Sequence, residues 1–375
     1  MQANDKRYLT QLTWLRGIAA TLVVVAHSVR MAEDVYLDTQ TSTVIGFIRF
    51  FDLGTFGVML FFALSGATLY FSNKHVHGLR GLAQFYVKRF FRIWPAFAVS
   101  LFIYMAFMPI FQTYYVTPRD NWIESQFLSD WSFIDLMGYL TLTFNIQGPN
   151  GLFNNAYWSL PVEFQYYLVF PLLVLSMRYT SIFGPIVIAV VSYIVHREGY
   201  ISMESTWVFM LAFTFCFGIV FAYLYERIKI RLHAALGLLL FACFFIACTL
   251  TQQGYIDFGT LPVISNPFGF NGIFGLLCMG ALLFTNFTFD KGHTLIKPFY
   301  WLGEISYSLY LYHNLVIGAL TIICIQFAWP TVLESATLIF LIVMPISMII
   351  AKISYETIEV SGIKLSRNIA KKLLS

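Results

Sequence analysis

Charged residues are scarce in this chain of 375 residues, since Asp, Glu, Lys and Arg together make up only 11% of it. Soluble globular domains carry about 25% of these residues, so the composition excludes that class. Hydrophobic residues make up 58% of the chain, and its mean hydropathy is +0.71. The apolar residues form repeated runs near the length that crosses the hydrocarbon core of a bilayer. We therefore predict an all-α polytopic membrane protein.

The sequence also lacks a metal-binding or disulfide pattern. None of its five cysteines lies in a CxxC or Cys/His spacing, which argues against zinc and against disulfides. We interpret these cysteines as small buried hydrophobic residues and expect no metal. The net charge of +4 does not indicate nucleic-acid binding, because the basic residues are spread over short loops instead of forming one stripe.

Ten membrane spans are predicted from the apolar runs. We detect no internal repeat, no low-complexity linker and no soluble segment after the last span, so we expect a single transmembrane domain over residues 1–375 without a fused extracytoplasmic domain. The predicted spans are 13–30, 54–72, 92–113, 157–177, 181–196, 206–226, 234–252, 268–287, 302–325 and 331–354.

The distribution of Lys and Arg predicts how these spans are oriented. If the N-terminus is cytoplasmic, 18 of the 23 Lys and Arg residues fall on the inner side. Only four, Arg30, Arg49, Arg119 and Arg197, fall on the outer side. Inner loops carry an excess of positive charge, so we predict that the N-terminus and the C-terminus are both cytoplasmic.

Two segments allow a second interpretation. Lys6 and Arg7 before an apolar run resemble a signal peptide, but Arg16 and His27 interrupt the run and no cleavage pattern follows, so we predict a retained first span. Residues 131–145 are apolar enough to lie in the membrane interface or to re-enter the membrane, whereas their length and Asp135 argue against a full crossing.

The largest outer loop, residues 114–156, is rich in aromatic and amide side chains. Such side chains are suited to stack on a sugar and bind its hydroxyls, and equally to anchor the loop at headgroup depth. The sequence leaves both interpretations open. The residues concerned are Tyr114, Tyr115, Trp122, Trp131, Asn145, Asn150, Asn154 and Asn155.

Arg16 and His27 are two ionisable residues inside the first predicted span. They are eleven residues apart, so they share nearly one helix face and lie about 16 Å apart along the axis. An arginine at the centre of a membrane helix costs roughly 2.5–3.5 kcal/mol on insertion scales, so such residues usually face a protein interior. The purely structural interpretations are that Arg16 is a snorkelling anchor and that His27 is a packing histidine. The helix face that the two residues share favours a functional site instead.

Three further stretches put polar groups near or within spans. Arg89 and Arg92 lie one helical turn apart at the cytoplasmic start of the third span, where guanidinium groups either bind phosphate or form an ordinary basic flank. Glu163 lies at a depth compatible with His27, where it would orient the imidazole, bind a sugar hydroxyl or remain a structural acid. His313 falls near mid-membrane and indicates either a site or a hydrogen bond between helices.

These stretches together resemble the acyltransferase-3 family of multi-spanning bacterial enzymes that acylate surface glycans and lipopolysaccharide. The resemblance rests on the Arg-x10-His spacing of Arg16 and His27 and covers nearly the whole chain. Four further elements follow in order: FFALSG at 61–66, KRFFRIWP at 88–95, WSLPVEFQYYL at 158–168 and SYSLYLYHNLV at 306–316. The chain departs from the pattern at Phe164, where many relatives have an acid, and at Asn314, where relatives often have Trp.

The resemblance implies O-acylation, with transfer of an acetyl group from cytoplasmic acetyl-CoA to a glycan hydroxyl outside a bacterial inner membrane. It implies that His27 is catalytic and that Arg16 is required beside it. Joined to the residue interpretation, it predicts that Arg16, Arg89 and Arg92 bind the nucleotide end of the donor. Glu163, Trp158 and His313 are the candidate residues for the acceptor side. The alternative function is an exporter or flippase of a lipid-linked glycan without acyl chemistry.

Overall fold

The described part of the chain is almost wholly helical. The computed structural model describes residues 7–35, 46, 49–115, 122–147, 152–198, 207–256, 267–286, 293–329 and 335–372. Within these ranges there is no β-strand, and a single parallel bridge joins Leu232 to Thr285. The all-α prediction is therefore confirmed.

Long helices alternate with short ones along the chain. The helices are α1 (Arg7–Val35), α2 (Leu53–Asn73), α3 (Gly78–Tyr114), α4 (Trp122–Phe127), α5 (Phe133–Leu140), α6 (Phe144–Gln147), α7 (Ser159–Thr180), α8 (Phe183–Arg197), α9 (Trp207–Arg227), α10 (Ala234–Gln252), α11 (Pro267–Leu283), α12 (Lys297–Gln326), α13 (Ala336–Ser354) and α14 (Val360–Lys372). A 3₁₀ turn at Asn155–Trp158 precedes α7, and a π-helical turn at Tyr355–Glu359 joins α13 to α14.

Each predicted span overlaps one helix of the structure. In the described ranges, eight helical segments are long and apolar enough to cross a membrane, while α8 and α11 are shorter apolar helices. Helix α3 begins at Gly78, well before the predicted start at residue 92, so Arg89 and Arg92 lie inside it. Several predicted features lie outside the described residues: Lys6, Arg119, Asn150, Lys291, and the span ends at residues 206, 287 and 331–334.

Large apolar side chains cover the outward faces of the long helices. In water such a surface would be an aggregation liability, whereas in lipid it is the expected one. The protein is accordingly a polytopic membrane protein. Examples with half or more of the residue exposed are Leu172, Val187, Leu239, Leu341 and Ile349.

Residues 131–145 form two short helices, and neither is long enough to cross a bilayer. Ser132 caps α5: its hydroxyl accepts a hydrogen bond from the Asp135 amide, and the Asp135 carboxylate accepts one from the Ser132 amide. This capping box satisfies exposed N–H groups at the helix start. The hydrogen bonds from Ser132 lower the pKa of Asp135 below its usual value.

The chain divides into two compact units by its internal contacts. The first unit contains residues 1–22, 55–78 and 165–304, and the second contains residues 23–54, 79–164 and 305–375. Helices α1, α7 and α12 therefore contribute residues to both units. The expectation of a single transmembrane domain stays a prediction.

Within the first unit, helices approach each other closely at glycines. A Cβ added at Gly66 on α2 would overlap the carbonyl oxygen of Phe215 on α9, and one added at Gly218 on α9 would overlap that of Ala63. Small residues let membrane helices pack backbone to backbone. Gly66, within the FFALSG element, is therefore a packing position.

We predict that Gly66→Ala destabilises the protein by about 1–3 kcal/mol, the usual range for overpacking a tight interior. The reason is that the backbone of α9 must shift to admit the methyl group. Thermal unfolding in detergent measures the effect. Gly81→Ala is the matched control, because a Cβ there meets no atom within 4 Å. Equal melting temperatures for the two variants would contradict the interpretation.

The five cysteines are all free. Four of them are buried, as expected for small hydrophobic residues, while Cys243 on α10 is exposed. Exposure on a helix with an outward apolar surface does not require a polar role, because a free cysteine behaves as a small hydrophobe.

Candidate functional site

The second unit brings two of the predicted site residues, His27 and His313, into direct contact. His27 lies on α1 and His313 on α12, and the two imidazole rings stack with centroids 4.9 Å apart. The Nδ1 atom of His27 lies 2.7 Å from Nε2 of His313 and 2.9 Å from Oδ1 of Asn314. The predicted hydrogen bond between helices at His313 therefore exists, and its partner is the candidate catalytic histidine.

The His313 ring is fixed by its own helix. The residue is fully buried, and its Nδ1 lies 2.9 Å from the carbonyl oxygen of Tyr310 and 3.2 Å from that of Leu309. Both carbonyls lie on the preceding turn of α12, so the backbone of one helix determines how His313 faces His27.

Asn314 continues the site towards the segment before α7. Its Nδ2 donates to Oδ1 of Asn154 at 2.8 Å, and both side chains are completely buried. Asn154 is the N-cap of the 3₁₀ turn, where its Oδ1 also accepts the amide N–H of Ala156 at 2.9 Å. Its Nδ2 donates to the carbonyl oxygen of Leu311 at 2.9 Å. The two asparagines thus form a buried hydrogen-bonded path from the backbone to His27.

The ring of Trp122, at the start of α4, also lies next to the ring of His27. The centroids of the two rings are 5.2 Å apart, and Trp122 is 92% buried, with 8% of its surface exposed. Gln126, one turn later, is completely buried. Its Oε1 accepts the amide N–H of Asn155 at 3.3 Å, so it ties α4 to the 3₁₀ turn that carries Asn154.

The remaining predicted site residues lie on three helices and one turn. Arg16 lies in the part of α1 that belongs to the first unit, and it is half-buried. Arg89 and Arg92 lie on α3 in the second unit and are also half-buried, with Arg89 above the Phe85 ring. Their common role in donor binding stays a prediction.

Glu163 and Trp158 lie at the start of α7 and at the end of the 3₁₀ turn before it. The half-buried carboxylate of Glu163 is close enough to the Tyr310 hydroxyl to act on it electrostatically, and that hydroxyl lies 2.9 Å from the Ser159 hydroxyl. The predicted encounter of Glu163 with His27 stays a prediction, as does the substrate contact of Trp158.

The sequence interpretation did not identify three residues that surround or support His27. Asn154 and Trp122 were noted only as members of an aromatic and amide-rich outer loop, and Asn314 only as a departure from a family pattern. A signal was present, because Asn314 is an amide inside an apolar helix, next to a histidine. Polar residues at membrane depth are functional candidates.

The arrangement is suited to base or nucleophilic chemistry by an imidazole. A histidine held by hydrogen bonds at one ring nitrogen can use the other nitrogen to accept a proton or to attack an electrophile. In the part of the chain that the structure describes, no group of three or more His, Cys, Asp and Glu residues could hold a metal ion.

Comparison with known families indicates the class of protein to which this site belongs. The family model described as an acyltransferase domain matches residues 9–355, nearly the whole chain. The chain belongs to the acyltransferase-3 family. No curated protein and no solved structure matches it. Membership of the acyltransferase-3 family supports membrane acyltransferase activity, and it places His27 and its partners in an enzyme.

We predict that Gln126→Leu destabilises this acyltransferase by about 1–3 kcal/mol, the usual penalty for a buried donor left without its partner. The variant removes the acceptor of the Asn155 amide N–H while keeping a side chain of similar size. Thermal unfolding in detergent measures the change. Ser125→Ala is the control, because Ser125 is exposed on the same helix. A Gln126→Leu protein that melts at the wild-type temperature would show that α4 is held by other contacts.

Proposed function

We propose that the protein is a membrane O-acyltransferase that moves an acetyl group from cytoplasmic acetyl-CoA to a hydroxyl of an envelope or secreted polysaccharide or glycolipid. The observation that carries the proposal is the contact of His27 with His313 and Asn314 inside a chain of the acyltransferase-3 family. This contact gives an intramembrane histidine a defined orientation, which base catalysis needs.

His27 takes the central role in the proposed reaction. In the direct route, its imidazole removes the proton of the acceptor hydroxyl while the hydroxyl oxygen attacks the thioester carbonyl. The C–O bond forms, the C–S bond breaks, and the departing thiolate receives the proton. In the covalent route, the imidazole first attacks the thioester carbonyl, the C–S bond breaks, and the departing thiolate takes the ring proton, which leaves a neutral acyl-imidazole. The acceptor hydroxyl then attacks this acyl group, the ester C–O bond forms as the C–N bond breaks, and the hydroxyl proton passes to the released imidazole. Both routes require a neutral His27, since the imidazolium has no lone pair to use.

Arg16, Arg89 and Arg92 are the proposed donor-binding residues. Their guanidinium groups match phosphate oxygens in shape and charge. The positive-inside distribution assigns the N-terminal part of α3 to the cytoplasmic side, where acetyl-CoA is present. The pantetheine arm of the donor would then extend along the interior towards His27. The family resemblance adds Arg16 to this set as the residue paired with the histidine.

The acceptor side is proposed to involve Glu163 and Trp158 directly, and His313 only through its contact with His27, because both ring nitrogens of His313 are already bonded within the protein. A carboxylate accepts hydrogen bonds from sugar hydroxyls, and an indole ring stacks on a sugar face. Glu163 has the second proposed task of orienting or polarising His27. The proposed setting is the cytoplasmic membrane of a bacterium, with membrane lipid around the helices and a glycan or lipid-linked glycan as partner.

We predict that His27→Ala lowers acetyl transfer by about 10²–10⁴-fold, the usual contribution of a positioned acid or base. Arg16→Ala is expected to raise the KM for the donor, and Arg16→Lys to restore only part of the affinity, because an ammonium lacks the planar fork. Transfer of label from radioactive acetyl-CoA to glycan in membrane vesicles measures both effects. His77→Ala is the control, since His77 is exposed between α2 and α3.

Vesicle orientation sharpens this experiment. External acetyl-CoA should be used by inverted vesicles, whose cytoplasmic face is outward, and not by sealed right-side-out vesicles. Full activity of His27→Ala would overturn the catalytic assignment. Wild-type vesicles that transport an unmodified glycan and never consume acetyl-CoA would favour the exporter instead.

A further inference from the structure

We infer that Asn314 and Asn154, together with His313, are positioning residues that keep the proton of neutral His27 on Nδ1, so that Nε2 carries the reaction. The inference rests on the proposed function for its catalytic meaning, although the location of the proton follows from the hydrogen bonds alone. The hydrogen-bonded path ends on backbone groups at both sides, and their roles are fixed, since an amide N–H only donates and a carbonyl oxygen only accepts.

The backbone amide of Ala156 determines how the side chain of Asn154 is oriented. This backbone N–H must face an acceptor, so the atom of Asn154 at 2.9 Å is the side-chain oxygen. The nitrogen of Asn154 then faces the carbonyl oxygen of Leu311, to which it donates. Turning the Asn154 amide over would set two donors against each other at Ala156 and two acceptors against each other at Leu311. The orientation of Asn154 is therefore fixed.

The orientation of Asn314 follows from that of Asn154. Because the oxygen of Asn154 faces Asn314 at 2.8 Å, Asn314 must present its nitrogen there. Its oxygen consequently faces Nδ1 of His27 at 2.9 Å. An amide oxygen only accepts, so Nδ1 of His27 carries a proton.

The backbone carbonyls of α12 independently place the proton on the same nitrogen of His27. Nδ1 of His313 faces the two carbonyl oxygens of Leu309 and Tyr310, so it must donate. In a neutral imidazole the other nitrogen is then an acceptor, so Nε2 of His313 accepts from Nδ1 of His27 at 2.7 Å. Two acceptors thus share one proton, and the lone pair of neutral His27 is left on Nε2.

The tautomer matters because only a bare ring nitrogen can take a proton or attack a thioester. If the proton moved to Nε2, the bare nitrogen would be Nδ1, which is occupied by His313 and Asn314. Some residues hold a histidine in one tautomer by bonding the ring nitrogen that does not react. Such residues affect turnover more than substrate binding, as they do in catalytic triads.

The tautomer of His27 is measured by ¹⁵N spectroscopy, and turnover is measured in a separate assay. We expect the ¹⁵N spectrum of protein labelled at histidine to show a protonated Nδ1 and a bare Nε2 for His27, identified by the signals that disappear in His27→Ala. In the double variant His313→Phe with Asn314→Leu, both acceptors are gone, so we expect a mixture of tautomers. We expect kcat to fall by about 10–100-fold, the range seen when the outer hydrogen-bond partners that orient metal-bound histidines are removed, with the donor KM changed less than about twofold.

Asn314→Asp is the conservative variant, because it keeps an acceptor oxygen in front of Nδ1. We expect it to retain the Nδ1 proton, and we expect the acid limb of its pH–rate profile to move to higher pH, since a carboxylate favours the charged imidazolium. Asn154→Leu should lower kcat less than the double variant does, because it acts on His27 through Asn314 alone. Thr321→Val is the control, since it removes a buried hydroxyl from the same helix at a distance from this path.

Two results would overturn the inference. One is a wild-type spectrum with a bare Nδ1 and a protonated Nε2 on His27. The other is a folded double variant with wild-type spectrum and kcat. The spectrum needs no turnover, so it separates a failure of this inference from a failure of the proposed acyl transfer.

A second inference rests on a different observation, an unused donor beside His27. Trp122 Nε1 is buried and has no hydrogen-bond partner among the described residues. A buried donor without a partner is costly, so each such group requires an explanation. Its ring lies 5.2 Å from that of His27, centroid to centroid.

We propose that the indole N–H of Trp122 donates to the acyl carbonyl oxygen as that oxygen gains negative charge during transfer. A fixed donor in a desolvated site stabilises such an oxyanion and requires no rearrangement when the charge forms. This proposal also depends on the proposed acyl transfer, which the wild-type assay establishes first.

Trp122→Phe keeps a buried ring and removes the donor. We expect kcat to fall by about 10²–10³-fold, the usual effect of losing one donor to an oxyanion, with little change in either KM. Trp329→Phe is the control, because Trp329 is exposed and lies outside the site and its loop. A kcat within twofold of wild type would refute the proposal. A higher acceptor KM at unchanged kcat would refute it in favour of sugar stacking.

Discussion

The hydrogen bond that Nδ1 of His27 makes with α12 is the constraint on which the site depends. Lipid offers no water to satisfy a polar group, so an imidazole inside a membrane helix must find its partners in the protein. His27 finds them in His313 and Asn314, and Asn314 in turn requires Asn154. The imidazole of His27 thereby connects three segments of the second unit, which lie on α1, on α12 and in the turn before α7.

Within each of the two units, helix backbones also approach each other closely. Membrane helices gain little from burying apolar side chains against each other, because lipid is equally apolar. Close packing at glycines supplies contacts between backbones instead, at Gly66 and Gly218 in the first unit and at Gly362 in the second, where an added Cβ would overlap the carbonyl oxygen of Phe91. Reactive groups must be held to within about 0.5 Å of their working geometry. Helices that cannot shift against each other within the unit that holds His27 are therefore a condition for catalysis as well as for stability.

Much of the fold could be predicted from the sequence, because a membrane helix makes its backbone hydrogen bonds within itself and can be recognised from the length and apolarity of its sequence. All ten predicted spans overlap a helix, and residues 131–145 form short helices instead of a crossing. The errors lie at helix ends: Arg89 was placed before a span, yet α3 begins at Gly78. Apolarity reports where lipid begins and ends, whereas a helix continues beyond the lipid as long as its hydrogen bonds and side-chain contacts support it.

The sequence by itself determined the membrane class, the helical architecture and the histidines worth attention, since each depends on composition or on residues within one helix. The motif elements also indicated the family. Only the tertiary structure decided that His27 meets His313, a residue 286 positions away, and that Asn154, Asn314 and Trp122 complete the site. Spacing along a chain specifies the face of a helix, but not which face of another helix it meets. That choice depends on packing and on satisfying every buried polar group at once.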